Sequence, residues 1–232
     1  MTQRSSMLAA TLAALSLHAA PASAVAVGQA DDFQDGTTQN WVVGLLGAPH
    51  PAPPVNVPNG GPAGAGDAYL GLTSLGGGGA GSKLAVINVA QWTGDYSAAG
   101  VARISADVRN FGQTTVALRL YLENPRMGPP TDEAITPAVI LAPGSDWTSV
   151  SFSLAPGDLQ VLRGSVATLL SDVTALRFFH GGADDFPGES LTALIGIDNV
   201  RALGAGRVPE PGSLALVSLG LLGAAALRRR LR

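Results

Sequence analysis

Ala102-Arg103-Ile104-Ser105-Ala106-Asp107-Val108 and, a short turn later, Val116-Ala117-Leu118-Arg119-Leu120-Tyr121-Leu122-Glu123 change character residue by residue. A period of two sends successive side chains to opposite sides of an extended chain, so each run reads as a strand with one face in a core and one face outward. Residues 110–114, with Gly112, supply a turn between them, and the pair is expected to form an antiparallel hairpin. Further strands are expected at 68–72, 83–88, 150–154, 175–180 and 194–202. Roughly eight short strands separated by turn residues predict an all-β fold, a two-sheet antiparallel sandwich of the jelly-roll type. The one helical candidate is 158–171, where Leu159, Leu162, Val166, Leu169 and Leu170 fall near helical spacing and Gly164 weakens the pattern.

Two stretches read as connections. Residues 47–66 hold six prolines and five glycines, a composition that removes ladder donors and predicts a long surface loop. The glycine run 76–81 matches G-x-G-x-x-G, but the segment behind it reads as a strand, whereas that motif needs a helix. A phosphate loop fails as well, because Ser82 separates Gly81 from Lys83. A flexible hairpin connection is the expectation there.

Both ends look like addresses. Arg4, an apolar stretch at 7–20 and Ala22-Ser23-Ala24 form a secretory signal peptide cut after Ala24, with Ala26 the near alternative. At the other end, Val208-Pro209-Glu210-Pro211 precedes an apolar run from Leu214 to Leu227, then Arg228, Arg229, Arg230 and Arg232. The run falls short of the ~20 residues that cross a bilayer comfortably, and arginines stay on the cytoplasmic side. Hydropathy alone fits an ordinary C-terminal anchor equally well. The Pro-Glu-Pro placement is what resembles the PEP-CTERM sorting signal of Gram-negative bacteria that make exopolysaccharide. That resemblance implies a transient partner, an integral-membrane exosortase that cuts near Pro-Glu-Pro, and anchorage in the inner membrane through the hydrophobic helix before the cut. The expected division is a signal peptide at 1–24, a β-sandwich domain at 25–207 and a sorting signal at 208–232.

With the ends set aside, the body keeps nine Lys and Arg against sixteen Asp and Glu, although the whole chain carries a net charge of only -3. Such a body repels phosphate backbones, so nucleic acid is not an expected partner. There is no cysteine, which excludes disulfides, thiolate metal sites and a cysteine nucleophile.

The body opens with Asp31-Asp32-Phe33-Gln34-Asp35-Gly36-Thr37 and Trp41, and closes with Ile195-Gly196-Ile197-Asp198-Asn199-Val200. These ends resemble the first and last strands of carbohydrate-binding-module-like, or galactose-binding-like, jelly rolls. Ser145-Asp146-Trp147 and Val173-Thr174-Ala175-Leu176-Arg177 are familiar in such domains too. The resemblance implies adjacent terminal strands that hold a structural calcium, with Asp32, Asp35 and Asp198 as its carboxylates. Gln34 stands where the family often has glutamate. The alternative is that these aspartates cap turns through their own backbone.

For a ligand, the outward face of the expected hairpin offers Arg119, Tyr121 and Glu123 with Arg103 and Asp107, and the strand at 175–180 adds Arg177 and Phe179. Hydrogen-bonding groups around an aromatic platform suit a sugar. The alternative is a solvated face whose charges pair across strands, each pair contributing ~0.2–1 kcal/mol. Trp92 is a second candidate platform, with core packing as its alternative. Catalytic chemistry finds little purchase. The body has only His50 and His180, and neither a G-x-S-x-G elbow nor an H-E-x-x-H helix. His180, Asp184, Asp185 and Glu189 sit in a glycine-rich segment that reads as a connection. The expectation is an exported, non-catalytic protein of the cell envelope or exopolysaccharide matrix whose domain associates with carbohydrate. The alternatives are a structural surface protein without a specific ligand and, more distantly, a polysaccharide-active hydrolase.

Overall fold

The computed structural model describes residues 24–44 and 49–206. Twelve strands and one short helix are found among them: β1 (Ala30–Asp31), β2 (Val55–Val57), β3 (Tyr69–Leu75), β4 (Ala85–Asn88), β5 (Val101–Asn110), β6 (Val116–Asn124), β7 (Asp132–Ile135), β8 (Val139–Leu141), β9 (Thr148–Ser153), β10 (Gln160–Arg163), α1 (Val166–Ser171), β11 (Ala175–His180) and β12 (Thr192–Gly204). They make two six-stranded sheets. The first runs β2-β3-β12-β5-β9 with β1 added to β12, and the second runs β10-β7-β6-β11-β4 with β8 added to β6. All pairings are antiparallel. The two sheets form the expected sandwich.

Inward residues of the two sheets meet in one core. Ile104, Val108, Phe152, Ile195, Ile197 and Val200 come from the first sheet, and Val86, Leu118, Leu120, Leu122, Leu176 and Phe178 from the second. Phe178 packs against Trp41 at 5.3 Å and Phe152 at 5.9 Å. Each of these large side chains, once fully buried, stabilises by roughly 1.5–3 kcal/mol, and with no disulfide available the core holds the sandwich together.

The expected hairpin of the two opening runs is not formed. β5 pairs with β12 and β9, whereas β6 pairs with β11, β7 and β8. The chain therefore crosses from one sheet to the other at 111–115. Asn110 fixes the corner by donating from Nδ2 to the carbonyls of Thr114 and Leu141. Alternation says which face of a strand is buried, and Ile104 and Leu120 are indeed buried in the same core; it carries no information about the neighbour along the sheet. The glycine run likewise joins β3 of the first sheet to β4 of the second, and so is no hairpin.

Two further expectations are corrected. Within 47–66, β2 pairs with β3 as an edge strand, a position where flanking prolines are tolerated because one side of the strand needs no ladder. Within 158–171 the first part is β10, and only α1 is helical. Gly164, at φ +69, separates the two. β12 carries a bulge between Asp198 and Arg201, with Asn199 at φ 49, so that Ile197 and Val200 both reach the core. No helix among the described residues is long and apolar enough to cross a membrane.

Candidate functional site

The second sheet gathers Arg119, Tyr121 and Glu123 of β6 with Arg177 and Phe179 of β11 but roofs them, whereas Arg103 and Asp107, expected on the same face, stand on β5 of the first sheet because the hairpin is not formed. Tyr121 is 1 %, Glu123 4 % and Arg119 7 % exposed, so the open platform expected from the sequence is absent. The roof is the connection 181–191 between β11 and β12. Its Phe186 stacks on Tyr121 at 4.0 Å between centroids and 16° between planes, and lies 5.3 Å from Phe179. Arg119 ties the roof down. It donates from Nε to the Gly181 carbonyl at 2.8 Å and from Nη1 to the Thr136 carbonyl at 2.9 Å, and its Nη2 meets Asp184 Oδ1 at 2.8 Å. Glu189 accepts from the Gly182 and Ala183 amides at 2.8 and 2.9 Å, which holds its carboxyl below the ordinary range. Tyr121 donates to Glu133 Oε2 at 2.6 Å, and burial first, then that carboxylate, pushes its phenol far up.

What remains open lies beside Phe186. Val43, Gly44, Ala85, Val86, Ile87, Arg177 and Phe186 line a cleft of about 360 Å³. Arg177 is held rigidly there: its Nη1 and Nη2 stand 2.8 and 2.7 Å from the two Glu123 oxygens. Its guanidinium covers the rings of Tyr121 at 5.2 Å and Phe186 at 5.1 Å. A cation whose orientation is already fixed loses little freedom when it donates to a ligand. Phe186 escaped the sequence reading because it lies in a segment of turn chemistry, Phe186-Pro187-Gly188, with no strand periodicity to give it a face.

Trp92 is not a platform. It is 0 % exposed, and its indole donates to Asp31 Oδ2 at 2.6 Å. The same oxygen accepts from Trp41 at 2.7 Å and Gln91 at 3.0 Å. Burial raises the Asp31 carboxyl, against the lowering effect of these three donors. One buried carboxylate thus anchors two core tryptophans by their polar edges. His180 serves a similar structural end, since its Nδ1 accepts from the Ala117 amide at 3.0 Å, and burial lowers it.

The terminal strands do lie together: β1 pairs with β12, Asp31 opposite Val200. Asp32 Oδ1 accepts from the Gln34 amide at 3.2 Å, and Asp35 Oδ1 accepts from Thr37 N and Oγ1 at 2.8 and 2.9 Å, which lowers Asp35. Both carboxylates therefore cap turns. Asp198, 1 % exposed, accepts from the Asn199 amide at 2.7 Å. Burial above all, with Asp67, Asp107 and Asp32 nearby, pushes its carboxyl up to about 7.

Beside it, Gln34 Nε2 donates to the Asp32 carbonyl at 3.1 Å, Asp67 Oδ1 at 2.9 Å and the Ala68 carbonyl at 3.2 Å. Three oxygens converging on one amide, next to a crowded buried acid, are the mixed carbonyl and carboxylate donors a hard cation takes. With the Gln34 amide turned about its last bond, Oε1 would join them. Such a set includes Asp67, which the sequence reading missed, uses Asp32 through its carbonyl and leaves Asp35 out. Among the described residues, no three His, Cys, Asp or Glu side chains cluster as a metal site by themselves.

Residues 207–230 match the family model of the PEP-CTERM protein-sorting motif. The chain carries a PEP-CTERM sorting motif. Val208, Pro209, Glu210, Pro211, Arg228, Arg229 and Arg230 all fall inside it, as does the apolar run. The PEP-CTERM chain is thus an exported protein, processed at the membrane by an exosortase. These residues, and Ala22 of the signal peptide, lie outside the described structure. No curated protein matches the chain.

Among solved structures, the body is similar to a family 11 carbohydrate-binding module from Clostridium thermocellum in complex with a β-1,3-1,4-mixed-linked tetrasaccharide. The TM-score is 0.50 and the identity 16 %, with 78 % of this chain and 98 % of that one covered. A solution structure of CtCBM11 gives 0.50 at 15 %, covering 78 % and 97 %. An exo-β-agarase gives 0.53 at 15 %, covering 77 % of this chain and 25 % of that one. At such identities the likeness is one of fold, and the fold is the jelly roll.

Proposed function

We propose that this PEP-CTERM protein is a non-catalytic module that associates with carbohydrate at the cell envelope or in the exopolysaccharide matrix, and that the cleft beside Phe186 is its binding site. The observation that carries the reading is the clamped Arg177 standing over the Phe186 ring at the mouth of an apolar cleft. A sugar has apolar C–H faces and a rim of hydroxyls; Phe186, Ile87 and Val43 offer surface to the first, and Arg177 a fixed donor to the second. The modules that share this fold support the choice of ligand class. The sorting motif supports display outside the cell.

The mature protein should be retained by the exopolysaccharide of its own host in affinity electrophoresis. Arg177→Ala together with Phe186→Ala should weaken retention about tenfold, the equivalent of about 1.4 kcal/mol. Equal retention of parent and double variant would move the site elsewhere, and equal retention by chemically unrelated polymers would favour a structural surface protein without a specific ligand. That second reading draws on one observation: Phe186 already covers Tyr121, as a satisfied face requires.

We also propose a structural calcium at the Asp198 corner, held by Asp67, Asp198, the carbonyls of Asp32 and Ala68, and Gln34 through Oε1. The ion would neutralise acids that otherwise repel one another.

A further inference from the structure

The outward side of the first sheet repeats, with other residues, the arrangement found beside Phe186. Gly71 of β3 stands opposite Gly196 of β12, and Gly196 opposite Arg109 of β5. Two glycines in register leave bare backbone; Val55 and Val57 of β2 cover Gly71, and three rings from three separate segments lie over Gly196. A Cβ on Gly196 would come within 2.6 Å of Trp147 and 3.0 Å of both Phe111 and Tyr69. Tyr69 and Phe111 stack at 5.7 Å and 24°, and Trp147 stands edge-on to them at 5.2 and 6.1 Å. Trp147 Nε1 donates to the Gly60 carbonyl at 2.9 Å, which fixes the indole. The Arg109 guanidinium sits 4.7 Å over Phe111 and 3.3 Å from Asp146. Its Nε is buried and finds no acceptor among the described residues.

Covering bare backbone explains why rings are present. It does not explain why all three are only half-buried, on a face otherwise furnished with Ser105, Asp107, Ser149 and Ser151. A half-exposed aromatic patch with a polar rim marks a place of contact. Its chemistry narrows the partner. The rim charge is balanced, Arg109 against Asp146, which suits a neutral ligand, and ring surface edged by both a donor and a carboxylate suits sugar rings whose hydroxyls give and accept. The same triad of aromatic ring, stacked guanidinium and clamping carboxylate forms the cleft on the opposite sheet, as Phe186, Arg177 and Glu123.

We propose that Tyr69, Phe111 and Trp147, with Arg109 and Asp146, form a second carbohydrate platform on the opposite side of the sandwich, so that one module bridges two neutral polysaccharide chains. The ligand class rests on the reading of the Phe186 cleft; the site itself does not. The test uses mature protein from its host and beads coated with the host exopolysaccharide. Parent protein should retain and also clump the beads. Trp147→Ala and Arg177→Ala/Phe186→Ala should each bind about tenfold more weakly without clumping, and their combination should not bind.

Retention and clumping unchanged by Trp147→Ala would overturn the second platform while leaving the first in place, whereas a parent that binds no polysaccharide would overturn both. Because Trp147→Ala also uncovers Gly196, the pair Arg109→Gln and Asp146→Asn, at the edge of the rings, serves as a second variant expected to keep the parent melting temperature and lose clumping. Parent protein that dimerises without polysaccharide, and loses the dimer on Trp147→Ala, would assign the face to a second copy and overturn the proposal.

Discussion

Asp198 ionises against its surroundings. Its folded value of about 7 stands above the ordinary 3.8, so the folded state holds a proton that the unfolded state has released. The contribution to stability is fully present below about pH 4 and is lost as pH rises through about 7. Metal-free protein should therefore melt at progressively lower temperature between about pH 4 and pH 7, and Asp198→Asn should flatten that decline. Free calcium, by binding the native state, should raise the melting temperature at pH 8 most of all, and a chelator should reverse it. If metal-free protein gains nothing from calcium, turn capping is the whole role of Asp32, as it is of Asp35 in either case. Asp198 could be singled out in the sequence because the closing stretch Ile195 to Val200 resembles the last strand of such jelly rolls, and Asp198 does lie within β12. Asp67 could not, for only folding brings it to Gln34, 33 residues away along the chain. Asp31 escaped likewise: its bond to Trp92 spans 61 positions.

Strands were more legible than their partners. The alternating runs at 102–108 and 116–123 lie within β5 and β6, and 175–180 is β11 to the residue, because period two is a local property of the chain. Pairing is not local. Tyr121 points outward relative to the main core, as its place in the alternation predicts, yet a connection 60 residues downstream covers it. The segment 158–171 shows the limit of apolar spacing in a stretch where strand and helix meet. Gly164 separates β10 from α1 at φ +69, and a Cβ there would run into Asp132 Oδ1 and the Thr131 carbonyl. Gly164→Ala combines a left-handed penalty with that clash and should cost about 1–3 kcal/mol. The loss should appear as a drop of several degrees in the thermal midpoint, at about 2–4 °C per kcal/mol for a chain of this size.

At the scale of the whole molecule, the sandwich and the sorting motif are nearly contiguous. β12 ends at Gly204 and the motif begins at residue 207. An exosortase that cuts near Pro209-Glu210-Pro211 therefore works within a few residues of a folded strand. Changing Pro209, Glu210 and Pro211 to alanine should leave the protein in the membrane fraction with its apolar run attached, and mass spectrometry of mature parent protein should place the new C-terminus near Pro211. Intact Arg228 to Arg232 on protein recovered from the outer surface would contradict this order of events.

The strand that leads into the tail is also the best-held strand of its sheet. β12 has thirteen residues and lies between β3 and β5, with β1 added beside its bulge. If the tail is held at the membrane before processing, any pull on the body becomes tension along β12. Antiparallel ladders on both sides meet that load in shear, many hydrogen bonds at once, where an edge strand would have one ladder to share it. The sandwich is thus attached by the element most able to transmit pulling force without unravelling.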